Sequence, residues 1–333
     1  MFWDLVLALL LPFAPTASDA WHARFAAPVY PAAIVDSMSV EAFSPQRSDF
    51  QVSFGTHEVS HRLMAMFVLP NETVPVSVQG ESASYELAAQ GGTARAAGAN
   101  RWTWTAPSRA GVYPIEVRDP ASGQTTTLNV FVMVPNSLVR GGYLNGYRIG
   151  KYPATRTGFE ENYAPPVGFV EVTPEMENVA VSPHFTLGQF VCKEPGSPRY
   201  LVLKTDLLEK LETILAMLND RGVEAYTFSI LSAYRTPFYN AAIGNVTSYS
   251  RHHYGDAADI YVDRDGDGRM DDINGDGRFN LADARVLQGI ADEINRGEQF
   301  AGLTGGLGAY EPTGAHGAFV HVDVRGFDVR WGA

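Results

Sequence analysis

His252, Asp259 and His321 restrict the folds open to this chain more than any other residues. The first two lie in Ser250-Arg251-His252-His253-Tyr254-Gly255-Asp256-Ala257-Ala258-Asp259, with small residues between them. The third comes much later, in Phe319-Val320-His321-Val322-Asp323-Val324. After His252 the chain must turn, and Gly255 permits it. Residues 257–262 then read as a strand, with Ala258, Ile260 and Val262 on one face and Asp259 and Tyr261 on the other. A final strand over 318–325 puts Phe319, His321 and Asp323 on one face and Val320, Val322 and Val324 in the core. His321 therefore sits on a polar face opposite a wholly apolar one, which packing alone does not explain. Asp259, beside core residues, would be a buried and costly carboxylate without a cation. Two imidazoles and one carboxylate leave a fourth position open on zinc, the feature that separates a catalytic zinc from a structural one.

The length of 333 residues predicts two or three domains. A formal net charge of -12 argues against a general nucleic-acid binder. The single cysteine, Cys192, excludes an intrachain disulfide and reads as a buried thiol. Residues 1–20 read as a signal peptide: the apolar run Leu5–Leu11 is too short to span a bilayer, and Ser18 and Ala20 stand before a cleavage point at Trp21. Asp4 departs from that pattern, since a positive charge belongs there. No later segment is apolar enough to cross a membrane. The expectation is an exported protein, periplasmic or extracellular.

The chain divides into an N-terminal all-β sandwich (25–136), a connector (137–181) and a C-terminal α+β domain (182–333). In the first part Pro75–Val78, Arg101–Thr105 and Thr127–Val132 read as strands separated by Gly and Pro turns. The stretch Trp104–Val117 resembles a late strand pair of bacterial immunoglobulin-like domains. The connector is rich in Gly, Pro and Tyr without a clear period, yet its aromatic residues predict that it packs on its neighbours. In the last part a helix is predicted over 206–220, with Leu207, Leu208, Leu211, Ile214, Leu215 and Leu218 on one face and Asp206 with Glu209 as its cap. A strand over 226–231 leads into Ser232-Ala233-Tyr234-Arg235-Thr236-Pro237. A second helix covers 281–296.

Ser250, His252, Gly255, Ala257 and Asp259 match every fixed position of Ser-x-His-x-x-Gly-x-Ala-x-Asp. With the preceding Ser-x-Tyr-Arg segment and the late histidine strand, residues 182–333 resemble the zinc D-alanyl-D-alanine peptidases, which also include other peptidoglycan-cleaving enzymes and the hedgehog signalling domain. The resemblance implies that His252, Asp259 and His321 ligate zinc. It implies that Arg235 stabilises the oxyanion formed at the scissile carbonyl, a task suited to a permanently charged planar donor. Ser250 and Tyr234 would bind substrate, or Ser250 would hold the loop. One departure stands out. Related enzymes carry a general base two or three residues before the last ligand, where this chain has Phe319 and Ala318. Asp323, His316 and His253 are the side chains near enough to substitute. His316 and Asp323 are favoured, and Asp323 serves equally as a partner orienting His321.

The acidic run between the ligands follows the calcium-loop template. Asp272, Asn274, Asp276, Asn280 and Asp283 stand at positions 1, 3, 5, 9 and 12, with Gly277 at 6 and the Arg278 carbonyl at 7. Asp at position 12 resembles a dockerin loop. Asp263, Asp265, Asp267 and Asp271 begin a second loop that overlaps the first, so one good and one improvised calcium site are expected within an insertion at 263–283. The implied function is zinc-dependent hydrolysis of peptidoglycan stem peptides, with the β-domain as a spacer or a module for an envelope partner. The alternative is a non-catalytic envelope protein that holds zinc and calcium and binds peptide.

Overall fold

Alternating burial of Phe50, Val52 and Phe54 sets the first strand of the computed structural model, which describes residues 43–245 and 247–332. The segment read as a signal peptide, and residues 25–42 of the first domain, lie outside the described residues. Nine strands follow in order: β1 (Arg47–Phe54), β2 (His57–His61), β3 (Leu63–Val68), β4 (Thr73–Gln79), β5 (Glu86–Ala89), β6 (Thr93–Gly98), β7 (Arg101–Thr105), β8 (Gly111–Arg118) and β9 (Thr125–Val132). They form one sheet in the order β2-β1-β4-β7-β6 and another in the order β3-β9-β8-β5. The strands β7 and β8, which carry the immunoglobulin-like stretch, do not pair with each other. Each joins a different sheet, and Ala106–Ala110 takes the chain across.

The continuous apolar run of β9 has a physical cause. Leu128, Asn129, Val130, Phe131 and Val132 are all buried, so both faces of the strand are covered. The C-terminal half covers one of them: Asn129 Nδ2 donates to Ala180 O at 2.8 Å. Nearby, Thr205 Oγ1 donates to Ala65 O on β3 at 2.9 Å. One apolar cluster runs from Phe50 to Val324 without a break.

Helix α1 (Thr205–Asp220) buries all six predicted apolar positions completely. Its predicted cap does not form. The N-cap is Lys204, without a side-chain hydrogen bond. Glu209 instead pairs with His61 at 2.9 Å and Arg47 at 3.3 Å on the β1–β2 hairpin, which draws its carboxylate away from the helix end. A short helix α2 (Pro237–Ala242) begins at Thr236, whose hydroxyl caps Tyr239 N–H at 3.0 Å. Helix α3 (Leu281–Arg296) starts on a capping box of Asn280 and Asp283 and buries Leu287, Ile290, Ala291 and Ile294.

These helices support a five-stranded sheet: β10 (Ser229–Ser232), β11 (Ala257–Tyr261), β12 (Gly306–Tyr310), β13 (Phe319–Asp323) and β14 (Val329–Gly332), in the order β10-β11-β13-β12-β14. All pairs are antiparallel except β12 with β14. The whole is mostly β, built from several sheets with few helices. Among the described residues no helix is long and apolar enough to cross a membrane.

Candidate metal centre

Register places two of the three candidate ligands side by side. On the central strands β11 and β13, Asp259 stands directly opposite His321, so their side chains share one face. The third arrives on a 3₁₀ turn, Arg251–Tyr254, packed at the start of β11. Gly255 ends that turn in the left-handed region, at φ 68°, pressed against the backbone of Val202 and Leu203. A side chain would not fit there, which accounts for glycine at this position.

His321 Nδ1 lies 2.9 Å from Asp259 Oδ1, and His252 Nε2 lies 3.3 Å from the same oxygen. All three candidate donor atoms fall within 4.8 Å of one another, and all three residues are buried. The far side of each imidazole is pinned. His252 Nδ1–H donates to Ala233 O at 2.6 Å. His321 Nε2–H donates to Asp323 Oδ2 at 3.1 Å. Each ring therefore presents its other nitrogen to Asp259, the arrangement of metal-binding histidines held by a carbonyl or a carboxylate. The donor set of two imidazoles and one carboxylate suits zinc with a position left open.

Electrostatics agree with a cation-binding spot. Burial pushes Asp259 toward neutrality, but His252 and His321 outweigh it and hold the carboxyl well below its usual range. Burial works against a charged His321 as well. Hydrogen bonds to Asp259 and Asp323 prevail and raise it to about 9. Burial pushes His252 down, with Asp259 opposing. In the bare chain a protonated imidazole supplies the positive charge, and a metal ion would displace that proton.

The cluster forms the floor of a cleft of about 420 Å³, whose walls include Tyr249, Ser250, Tyr310, Phe319, Arg325 and Trp331. Arg235 also lines it, donating from Nη2 to Asp259 Oδ2 at 2.7 Å and from Nε to Ser232 Oγ at 2.6 Å. The remaining predicted residues are placed less simply. Asp323 is wholly buried and accepts from Gly306 N–H at 2.7 Å and from Arg325. It sits behind His321, on the side away from Asp259, so it orients that ring and cannot reach a substrate as a base. Tyr234 is also corrected. It is 1% exposed, bonded to Tyr152 through the two hydroxyls at 3.1 Å, and absent from the cleft wall. His316 lies outside the cleft wall too. Its ring stands edge-on to Phe319, with centroids 4.9 Å apart, and its Nδ1–H donates to Gly317 O.

Tyr310 and Trp331 escaped sequence reasoning. Trp331 Nε1–H donates to Tyr310 Oη at 2.6 Å, and its ring lies 5.0 Å from that of His321. The available signal was glycine. A Cβ on Gly308 would come within 2.7 Å of Trp331 Nε1, and one on Gly306 within 2.5 Å of Asp323 Oδ2.

In the acidic run, Asp263, Asp265 and Asp267 bring carboxylate oxygens within 4.8 Å of one another. Asp271 does not join them, because Arg264 takes its Oδ2 at 2.6 Å. In the overlapping loop Asp272 accepts from the backbone N–H of Gly275, Asp276 and Gly277. Asn274 and Asp276 accept from backbone N–H groups two residues on, the second from Arg278 N at 2.9 Å. Asp283 is buried and accepts from Ile273, Asn274 and Asn280, so it already staples the loop to α3. Comparison with protein-family models, with curated proteins and with solved structures gives no match.

Proposed function

We propose that this chain is an exported zinc-dependent peptidase that cleaves peptide bonds in peptidoglycan stem peptides, of the D-Ala-D-Ala carboxypeptidase or endopeptidase type. In this reading an N-terminal β-sandwich precedes an α+β zinc domain stapled by calcium. The observation that carries it is the convergence of His252 Nε2, Asp259 and His321 Nδ1 on the floor of an open cleft, with both imidazoles pinned from behind. His252, Asp259 and His321 would hold a divalent ion there, which would supply Lewis acidity and activate water for attack. Arg235 projects a guanidinium into the same cleft, placed to stabilise negative charge growing on a carbonyl oxygen. Asp323 keeps His321 in the tautomer that offers Nδ1 to the centre. Tyr249, Tyr310 and Trp331 give the cleft aromatic walls against which a peptide can lie.

One observation favours a second reading, a zinc-bearing protein that binds peptide without cutting it. Among the described residues Asp259 is the only carboxylate on the cleft wall, and the only histidines there are the two candidate ligands. Incubation of the zinc-loaded protein with a defined set of muropeptides, read by mass spectrometry, separates the two. Products that vanish in His252→Ala establish the peptidase. Intact peptides at every stem composition, with stoichiometric zinc bound, establish the binding protein.

A further inference from the structure

The connector does more than join two parts of the chain. Residues 142–163 are fastened to the metal-bearing sheet and its turns along their length. Gly150 packs so tightly on α2 that a Cβ would lie 2.6 Å from Phe238 N, and Phe238 N–H donates to Ile149 O at 3.1 Å. Tyr152 Oη is bonded to His253 O at 2.9 Å. Tyr249 Oη donates to Ala154 O at 3.0 Å, and Arg251 Nη1 to Asn162 O at 2.6 Å. Asn162 Nδ2 donates to Arg325 O, beside Asp323.

Along this strap, against α2 and the loop that follows it, lie two hollows of about 640 and 730 Å³, both within the size range of ligand sites. They adjoin the metal cleft through shared walls. Asn245 and Thr247 line both the cleft and the nearer hollow, and Lys151 and Tyr152 line both hollows. The lining is selective in charge. In a chain of net charge -12, neither hollow has a single carboxylate on its wall among the described residues. The cations there are Lys151 and Arg148, and among the described residues neither is in an ion pair. Arg148 stands over Phe238, its guanidinium carbon 4.1 Å from the ring centroid, and its Nε–H donates to Tyr143 Oη at 3.1 Å, so its remaining donors are preset. The nearer hollow also has unused polar groups. His253, 3% exposed, has no side-chain partner at either ring nitrogen and only the Ser248 backbone near it, and Asn240, 2% exposed, has no hydrogen bond at its amide oxygen.

We propose that this strap-walled groove binds an acidic, extended peptide: the carboxylate-bearing part of the substrate that lies beyond the bond to be cut. Lys151 and Arg148 take the carboxylates, while Asn240 and His253 meet amide groups. The identity of the peptide rests on the reading given under Proposed function; the groove and its charge do not.

The test is calorimetric titration of the capped hexapeptide Ala-Glu-Ala-Glu-Ala-Glu into the full chain with calcium present. Turnover is not needed, so a chain that cuts no muropeptide still tests the groove. Lys151→Glu combined with Arg148→Glu should weaken binding about tenfold or more at low salt. Lys151→Glu alone, which disturbs no packing, should give a smaller loss in the same direction. Arg285→Glu, the same charge change on the exposed side of α3, should stay within about twofold. Equal affinity in the double variant and the parent, or an equal loss in Arg285→Glu, would overturn the inference. So would equally tight binding of the Ala-Lys counterpart. Preferential binding of neutral chitotetraose, untouched by the double variant, would overturn it in favour of a sugar groove. Muropeptide cleavage with charge-insensitive peptide affinity would sink the groove and leave the metal centre standing.

Discussion

Replacing Gly255 with alanine probes how the turn carries His252 to its partners. Gly255 sits at φ 68° and ψ 20°. That conformation costs a residue bearing a Cβ about 1–2 kcal/mol. The new methyl would also run into the carbonyl of Val202 and come within 2.7 Å of Leu203 N. These are backbone atoms, tied down by the bond from Lys204 N–H to Gly255 O at 2.9 Å. No rotamer change relieves the overlap, and overpacking of this kind costs about 1–3 kcal/mol. Gly255→Ala is therefore expected to lower the unfolding free energy by about 2–5 kcal/mol, read from urea unfolding followed by tryptophan fluorescence. The turn can escape only by moving away from Val202, which displaces His252. Zinc affinity, measured by competition with a chromophoric chelator on the folded variant, should fall about tenfold or more. A loss below about 1 kcal/mol with unchanged zinc affinity would refute the reasoning for both steps.

Asp323→Asn preserves shape but removes the charge behind His321; zinc affinity should drop about 10–100-fold in the same competition assay, and an unchanged value would remove Asp323 from the centre. Withdrawing calcium with a selective chelator should lower thermal stability, by about 2.7 kcal/mol if the starting concentration is 100 times Kd. Melting that ignores the chelator would exclude a calcium staple at Asp263, Asp265 and Asp267. Burial pushes Lys210 down to about 8, with Asp323 and Asp328 opposing. Its folded pKa lies below its unfolded one, so between pH 8 and 10 the unfolded chain holds more protons and this residue's contribution to stability rises with pH. The unfolding free energy of the parent relative to Lys210→Met should gain about 2 kcal/mol over that interval. A flat difference would mean that burial does not lower the Lys210 ammonium below its unfolded value.

Periodicity revealed the strands around the centre and both long helices, because each buries one clean face. The alternation in 257–262 and 318–325 put Asp259 and His321 on polar faces, as found. Their exact opposition depends on pairing between segments some 60 residues apart, which no local pattern encodes (the hydrogen bond between them spans 62 positions). Tyr234 came from the resemblance of Ser-x-Tyr-Arg alone, and its burial depends on a bond to Tyr152, 82 positions away, beyond the reach of any local pattern. Asp323 was legible as a neighbour of His321, but its burial behind the ring depends on Gly306 from the neighbouring strand β12 and on Arg325 folding back from two residues on. The short edge strand β14 alternates half-buried with exposed residues and gave no signal, so Trp331 was missed. The connector has no period because its paired segments are short, such as Tyr143–Leu144 with Tyr147–Arg148, and tertiary bonds to Phe238, Tyr249 and Arg251 hold much of the rest.

The doubly covered strand β9 bears on how such a chain can be inherited. Modules with private interiors can be traded between genes, because each arrives with its own hydrophobic filling. Here, trading away the first half would lay open Ala180, Thr205 and the flank of α1 that meet β3 and β9. The two halves are bound to change together, and a swap at their junction would yield a sticky remnant instead of a smaller stable protein.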